Sequence, residues 1–181
     1  LSWMFFDVMK GKKPSVIGFC VGAVVGLVAI TPAAGYVGIP QSIFIGVIAA
    51  IVSNVAVYIK SRSSLDDTLD VFPCHGIGGM VGMLMTGIFA SKAICGTDGL
   101  AYGNVSFFFT QFKAMACAVG YSFVVSYAIF KFINFIVPLR VSNQEEEEGL
   151  DASQHNEKYV QGTILVATKE GVVEKEVEPS F

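Results

Sequence analysis

Four stretches of this 181-residue chain are apolar over nearly the length that a lipid bilayer demands, and no other feature restricts its fold as much. A helix needs about 20 such residues to cross the hydrocarbon core. The first stretch runs from about Ser15 to Ile30, the second from about Ile43 to Ile59, the third from about Thr68 to Ala90 and the fourth from about Phe112 to Val137. Backbone surrounded by lipid must satisfy its own polar groups, so these stretches read as helices. The prolines and glycines of TPAAGYVGIP mark where the first one ends. Leu1 to Met9 reads as the tail of an earlier span, and the opening LSWMFFDVMK as the interior of a longer sequence. The expected fold class is all-α, a polytopic membrane helix bundle over residues 1–140.

Charge separates this bundle from the C-terminal segment. Residues 1–140 carry nine Lys and Arg against five Asp and Glu, whereas 141–181 carry three against ten. An acidic tail over 141–181 is therefore expected in water. Only 15% of residues are charged and 53% are hydrophobic, which excludes an ordinary soluble domain and a nucleic-acid binder. Lys10, Lys12, Lys13, Lys60, Arg62, Lys131 and Arg140 share one side of the four spans, against Lys92 and Lys113 on the other. The excess of positive charge places the 10–13 and 60–64 loops and the tail in the cytoplasm of a cell whose inner or plasma membrane the bundle spans. TPAAGYVGIP and SKAICGTDGLAYGNVS then face outward.

Small residues recur at helical spacing: Gly18, Gly22 and Gly26 in the first span, Gly78, Gly82 and Thr86 in the third. Such stripes let helix backbones approach where lipid supplies no hydrophobic push. The fourth span, with Phe107, Phe108, Phe109, Phe123, Phe130, Phe132 and Phe135 on or before it, reads as more lipid-facing. Cys20, Cys74, Cys95 and Cys117 stand singly, without zinc or redox spacing; three of them lie in apolar runs, and they read as small buried apolar residues. No metal, cofactor or enzymatic constellation is legible. In the tail, TILVATKEGVVEKEVE alternates weakly and fits either a short hairpin or a disordered segment.

The third span opens DVFPCHGIGGMVG. With a helix start near Thr68, His75 lies about 10 Å along the axis and Asp70 less. Ionisable groups at such depth usually face a bundle interior or an aqueous path, so function is the default hypothesis for His75. The competing reading is an imidazole hydrogen-bonded within the bundle. Gly76, Gly78 and Gly79 are expected to clear space beside the ring, and Pro73 removes a backbone donor just before it. A low-dielectric site disfavours the charged imidazolium, and the neutral ring offers one acceptor and one donor. Asp66, Asp67 and Asp70 sit where carboxylates cap a helix start.

GLVAITPAAGYVG, then DDTLDVFPCHGIGGMVGMLMTGIFA, then a last span running into LRVSNQEEEEGLD together closely resemble the C-terminal part of the Amt/Mep/Rh ammonium transporters, over about residues 1–157. The resemblance implies an eleven-helix protomer with two pseudo-symmetric halves, assembled as a homotrimer. It makes His75 the second of two paired pore histidines, with Val71 and Phe72 at pore-side or neighbouring positions. Asp67 and Asp70 become the acidic pair ahead of it, structural rather than transporting. The partner histidine, the outer aromatic recruitment site and the phenylalanine gate fall outside this chain. Pro73 and Cys74 depart from the family's glycine and small aliphatic residue, and His155, Asn156 and Glu157 from a tail pattern with glycine in the middle.

A path of apolar residues and two neutral imidazoles distinguishes ions by chemistry. Ammonium, ammonia and methylammonium can donate hydrogen bonds, while potassium sheds its water and gains nothing. The expected function is ammonium or ammonia transport, the paired rings passing a proton so that charge crosses. Two other classes carry expectations of their own. An ammonium sensor would act through the acidic tail, with a PII-type regulator at the cytoplasmic face as the partner the resemblance implies. A scaffold built on the glycine stripes would be indifferent to His75 beyond stability.

Overall fold

The computed structural model describes residues 1–157, 162–168 and 171–177. The chain forms two compact units, Leu1–Phe123 and the residues from Val124 onward. In the first unit, α1 (Ser2–Met9), α2 (Val16–Ile30), α3 (Ile39–Lys60) and α4 (Gly78–Phe89) pack as a bundle, and a single π-helical turn, Phe72–Ile77, leads into α4. A short α5 (Lys92–Cys95) and a 3-10 turn (Leu100–Tyr102) come next, and α6 (Val105–Ile136) runs on past the division between the units. Four of these helical segments are long and apolar enough to cross a membrane: Val16–Ala33, Ile39–Lys60, Phe72–Phe89 and Val105–Ile136.

Local chemistry explains where these segments begin and end, and why they differ from the apolar runs. Ser15 caps α2 by accepting the Gly18 amide at 2.9 Å. A 3-10 turn with Pro32 at its start extends the first span to Ala33. The second span begins at Ile39 rather than near Ile43 because Pro40 lies in the first turn, where its missing N–H has no intrahelical partner to lose. The fourth begins at Val105, since the Asn104 side chain accepts the Phe107 amide at 3.1 Å and starts the helix before the phenylalanine run. Its 32 residues make a helix of about 48 Å, longer than hydrocarbon is thick.

Small side chains set the core. Val25, Ala29, Ala33, Ile45, Ala49, Ala50 and Cys74 are buried, with Trp3 of α1 against them, whereas Cys20 and Cys117, also expected to be buried, are exposed. A Cβ on Gly82 would strike the Ala29 carbonyl, so α4 crosses α2 in backbone contact, and Thr86 one turn on is buried. Gly22 faces Trp3, where an added Cβ would stand 2.6 Å from the tryptophan's own Cβ. Gly26, the third member of that stripe, has open space in place of a neighbour. Helix α6 touches this unit near its start, where Phe108 and Gln111 lie over Gly87, and none of its residues is buried.

In the second unit, α7 (Asn143–Glu148) opens with a reciprocal cap: the Glu145 amide donates to the Ser142 hydroxyl, and the Ser142 amide donates to the Glu145 carboxylate at 2.8 Å. Helix α8 (Leu150–His155) ends at Asn156, whose φ of 53° is left-handed. A backbone that favours glycine, and tolerates asparagine, explains why Asn156 can stand where glycine is usual. Of the two readings of the distal tail, the hairpin is adopted: β1 (Gly162–Thr168) pairs antiparallel with β2 (Gly171–Val177), Gly162 opposite Val177 and Thr168 opposite Gly171. Residues 158–161, 169–170 and 178–181 of that tail lie outside the described residues.

Candidate functional site

The site is assembled where α3 ends and the third span begins. Asp67 caps that span: its carboxylate accepts the Val71 and Phe72 amides, both at 2.9 Å. The Phe72 amide first, then the Val71 amide and the Lys60 charge, hold the Asp67 carboxyl below the usual carboxylate range against a partial loss of solvation. Because its folded value is depressed, this cap is fully present above the ordinary carboxylate range and is lost as pH falls through the lowered value.

Asp70 does not cap the helix, contrary to the expectation from its position. Its φ of 53° turns the chain left-handed, which points its amide at the Asp67 carbonyl, 3.2 Å away. Its own carbonyl accepts the Cys74 amide at 3.0 Å. The carboxylate instead pairs with Lys60 Nζ at 2.6 Å, and the same ammonium donates to the Asp67 carbonyl at 2.6 Å. The Lys60 side chain is only 15% exposed. A long charged side chain held this closely by two oxygens acts as a fixed strut rather than a solvated surface group.

This arrangement moves the helix start from Thr68 to Val71. His75 therefore lies about 6 Å along the axis instead of 10 Å, inside the π turn. Such turns are wider than an α-helix, rare, and frequent at functional sites. Pro73 and Cys74 point into the bundle and are buried, while Val71, Phe72 and His75 are exposed, Val71 at 50% and Phe72 at 54%. Cys74 and His75 thus face opposite ways, one packed and one open. Among the described residues, no hydrogen bond engages the His75 ring.

The glycines do not all serve the ring. Gly78 faces Ser53, Val25 and Val28, and Gly79 lies near Val28, so both accommodate helix packing. Only Gly76 borders the exposed face, where an added Cβ would lie 3.1 Å from the Phe72 ring. The structure thus brings Val71, Phe72 and His75 onto one open surface and leaves Asp67 and Asp70 behind it as supports.

A second polar cluster, with no signal in the sequence beyond a count of cations, sits at the same end of the bundle. Lys10 Nζ donates to Asn54 Oδ1 at 3.0 Å, and Asn54 Nδ2 donates to Asp7 Oδ1 at 2.9 Å. The Lys10 ammonium also stands over the Phe6 ring at 4.4 Å, and Arg62 over Tyr58 at 4.2 Å. Lys10, Lys60 and Arg62, read from the sequence as topological signals, are each engaged by a specific partner.

At the opposite end, Lys92, Thr97, Asp98, Tyr102 and Asn104 line an open polar hollow of about 410 Å³. Its loop is closed by the Lys92 amide donating to Asp98 at 2.8 Å, and it holds none of the residues singled out in the third span. Among the described residues, no three His, Cys, Asp or Glu side chains converge on a point that would hold a metal.

Comparison with known proteins identifies relatives of the chain as a whole. The Ammonium Transporter Family model matches residues 1–160. The ammonium transporter of Bacillus subtilis is 41% identical over 165 residues, covering 90% of this chain and 41% of that protein. Ammonium transporter Amt1 of Archaeoglobus fulgidus is 42% identical over 155 residues, covering 86% of this chain and 39% of its own. The crystal structure of Saccharomyces cerevisiae Mep2 superposes with a TM-score of 0.75 at 35% identity, over 84% of this chain and 36% of that one. The chain thus spans about two fifths of the length of the curated relatives it matches. These relatives are transporters rather than enzymes, and the four apolar helices make this a multi-pass membrane protein. On the match over residues 1–160 and the shared helical architecture, the chain belongs to the ammonium transporter family.

Proposed function

We propose that the full-length protein moves ammonium or ammonia across a membrane through an apolar pore, with His75 as one of a pair of pore histidines and Val71 and Phe72 beside it. One observation carries this reading. On a helix otherwise packed closely enough to need glycine, the single imidazole is exposed, free of hydrogen bonds among the described residues, and flanked by exposed apolar side chains. Facing lipid, such a ring would leave its polar nitrogens unsatisfied. Facing a passage completed by the rest of the protein, it keeps them for cargo.

The chemistry derives from that placement. An imidazole with an uncommitted acceptor nitrogen binds a species that donates hydrogen bonds, and a potassium ion of similar size offers none. Two such rings in line can take a proton from ammonium and return it, while apolar neighbours exclude the water that would carry other ions. Methylammonium keeps donors and belongs to the same substrate class. The distribution of Lys and Arg supports a cytoplasmic tail in a cell or plasma membrane, and family membership supports a homotrimer whose cytoplasmic face meets a PII-type regulator.

The test replaces His75 with Ala in the full-length protein in liposomes and records ammonium and potassium currents. The ammonium-over-potassium preference is expected to fall at least about tenfold, equivalent to about 1.4 kcal/mol of discrimination. Transport that stays rapid and excludes potassium as before would refute the assignment.

A further inference from the structure

His75 lies between two anchors of different kinds. On its C-terminal side, Gly78 seats against Ser53 and Val25, and Gly82 against the Ala29 backbone, which sets the depth and rotation of α4. On its N-terminal side no glycine contact is available. The π turn begins there at Phe72, a single turn of a rare geometry in place of a regular α-helical start. Ahead of it stands the 67–70 turn, closed by the Asp70 amide on the Asp67 carbonyl and bent by a left-handed, non-glycine residue. Such a conformation persists only when its surroundings impose it. The group from outside the turn that imposes it is Lys60, the last residue of α3, whose ammonium grips the Asp70 carboxylate and the Asp67 carbonyl together.

We propose that Lys60 is a positioning residue for His75: by clasping Asp70 and Asp67 it holds the turn from which the π-helical segment starts, and so sets the imidazole's place in the passage from the end of a different helix. The inference rests on the pore reading of His75. Without the clasp, only the turn's own hydrogen bonds hold Asp70 left-handed, the Asp67 cap loosens with it, and the first turn of the span can rewind. His75 then moves along and around the axis while Gly82 keeps the rest of α4 in place. Membrane insertion and bundle packing survive this change, and discrimination at the ring does not.

The test uses the full-length protein in liposomes, with currents scaled to the amount inserted. Lys60→Met is expected to lower the ammonium-over-potassium ratio roughly tenfold, the size of effect that a misplaced functional group produces, and Lys60→Arg to recover most of it. Asp70→Asn keeps a side chain that tolerates the left-handed backbone and removes the charge. It should behave as Lys60→Met does, and it carries the test if the methionine variant fails to insert. Wild-type discrimination in an inserted Lys60→Met or Asp70→Asn protein overturns the inference, as does equal impairment of the Met and Arg variants. His75→Ala in the same preparation separates the two readings: if it collapses selectivity while Lys60→Met leaves it intact, only the positioning role fails, whereas an unaffected His75→Ala removes the pore reading itself.

Discussion

Helices α4 and α6 both belong to spans long and apolar enough to cross a membrane, yet they are built on opposite plans. Along α4, Gly78, Gly82, Thr86 and Gly87 are buried, and the side of the helix that carries them is shaped to fit α2, α3 and the start of α6. Along α6 no residue is buried, Gly120 has nothing within 4 Å of where a Cβ would stand, and Phe123, Phe132 and Phe135 are more than half exposed. Apolarity therefore shows that a segment tolerates lipid, while small residues at helical spacing show which side of it meets protein. In a solvent as apolar as leucine, packing is what remains to favour one helix neighbour over another.

The contrast is broken or sharpened most directly at its two glycines. Gly82→Leu drives a branched side chain into the Ala29 carbonyl and Pro32 and should cost at least about 3 kcal/mol. The measurement is thermal unfolding of the full-length protein in detergent, and an unchanged midpoint would mean that α2 and α4 do not touch at this point. The acidic segment comes next. Ser142→Ala removes the cap of α7 and should cost that helix about 1 kcal/mol, read as lost helicity by circular dichroism of a 140–157 peptide. Acid should have a similar effect: the Ser142 hydroxyl, then its amide, hold the Glu145 carboxyl below its ordinary value. The cap is complete above the usual glutamate range, and helicity falls as pH drops through the lowered value. Smallest is Gly120→Ala in α6, whose added Cβ meets nothing within 4 Å and should gain about 0.5 kcal/mol from a stiffer unfolded chain. A loss as large as that at Gly82 would show that this face of α6 is a packed interface after all.

Legibility from sequence was uneven for physical reasons. The spans were readable because apolar length is a sum over neighbours in the chain. Their ends shifted where one side chain decides the start: Pro40 and Asn104 lengthened two of them, and Asp67 shortened another. The third span was also where a plausible local rule chose the wrong residue. Asp66, Asp67 and Asp70 all suited a cap by position, and only the left-handed backbone at Asp70 leaves that role to Asp67. In the same way Gly76, Gly78 and Gly79 looked equally able to make room for His75. Which of them face the ring depends on how α4 crosses its neighbours. Lys60 showed no sign of its partner, since a lysine ten residues before an aspartate is ordinary until the loop between them folds back.

By itself the sequence determined that this protein is a helical membrane bundle followed by an acidic C-terminal segment, because a helix satisfies its own backbone hydrogen bonds where hydrocarbon offers none. It also set an ionisable ring near the start of one span. Only the tertiary structure decided that Pro73 and Cys74 turn inward while His75 turns outward, and that a lysine at the end of α3 clasps the turn beneath it. Those outcomes depend on helix crossings and on one left-handed residue, and such non-local geometry has no period or composition through which a sequence can announce it.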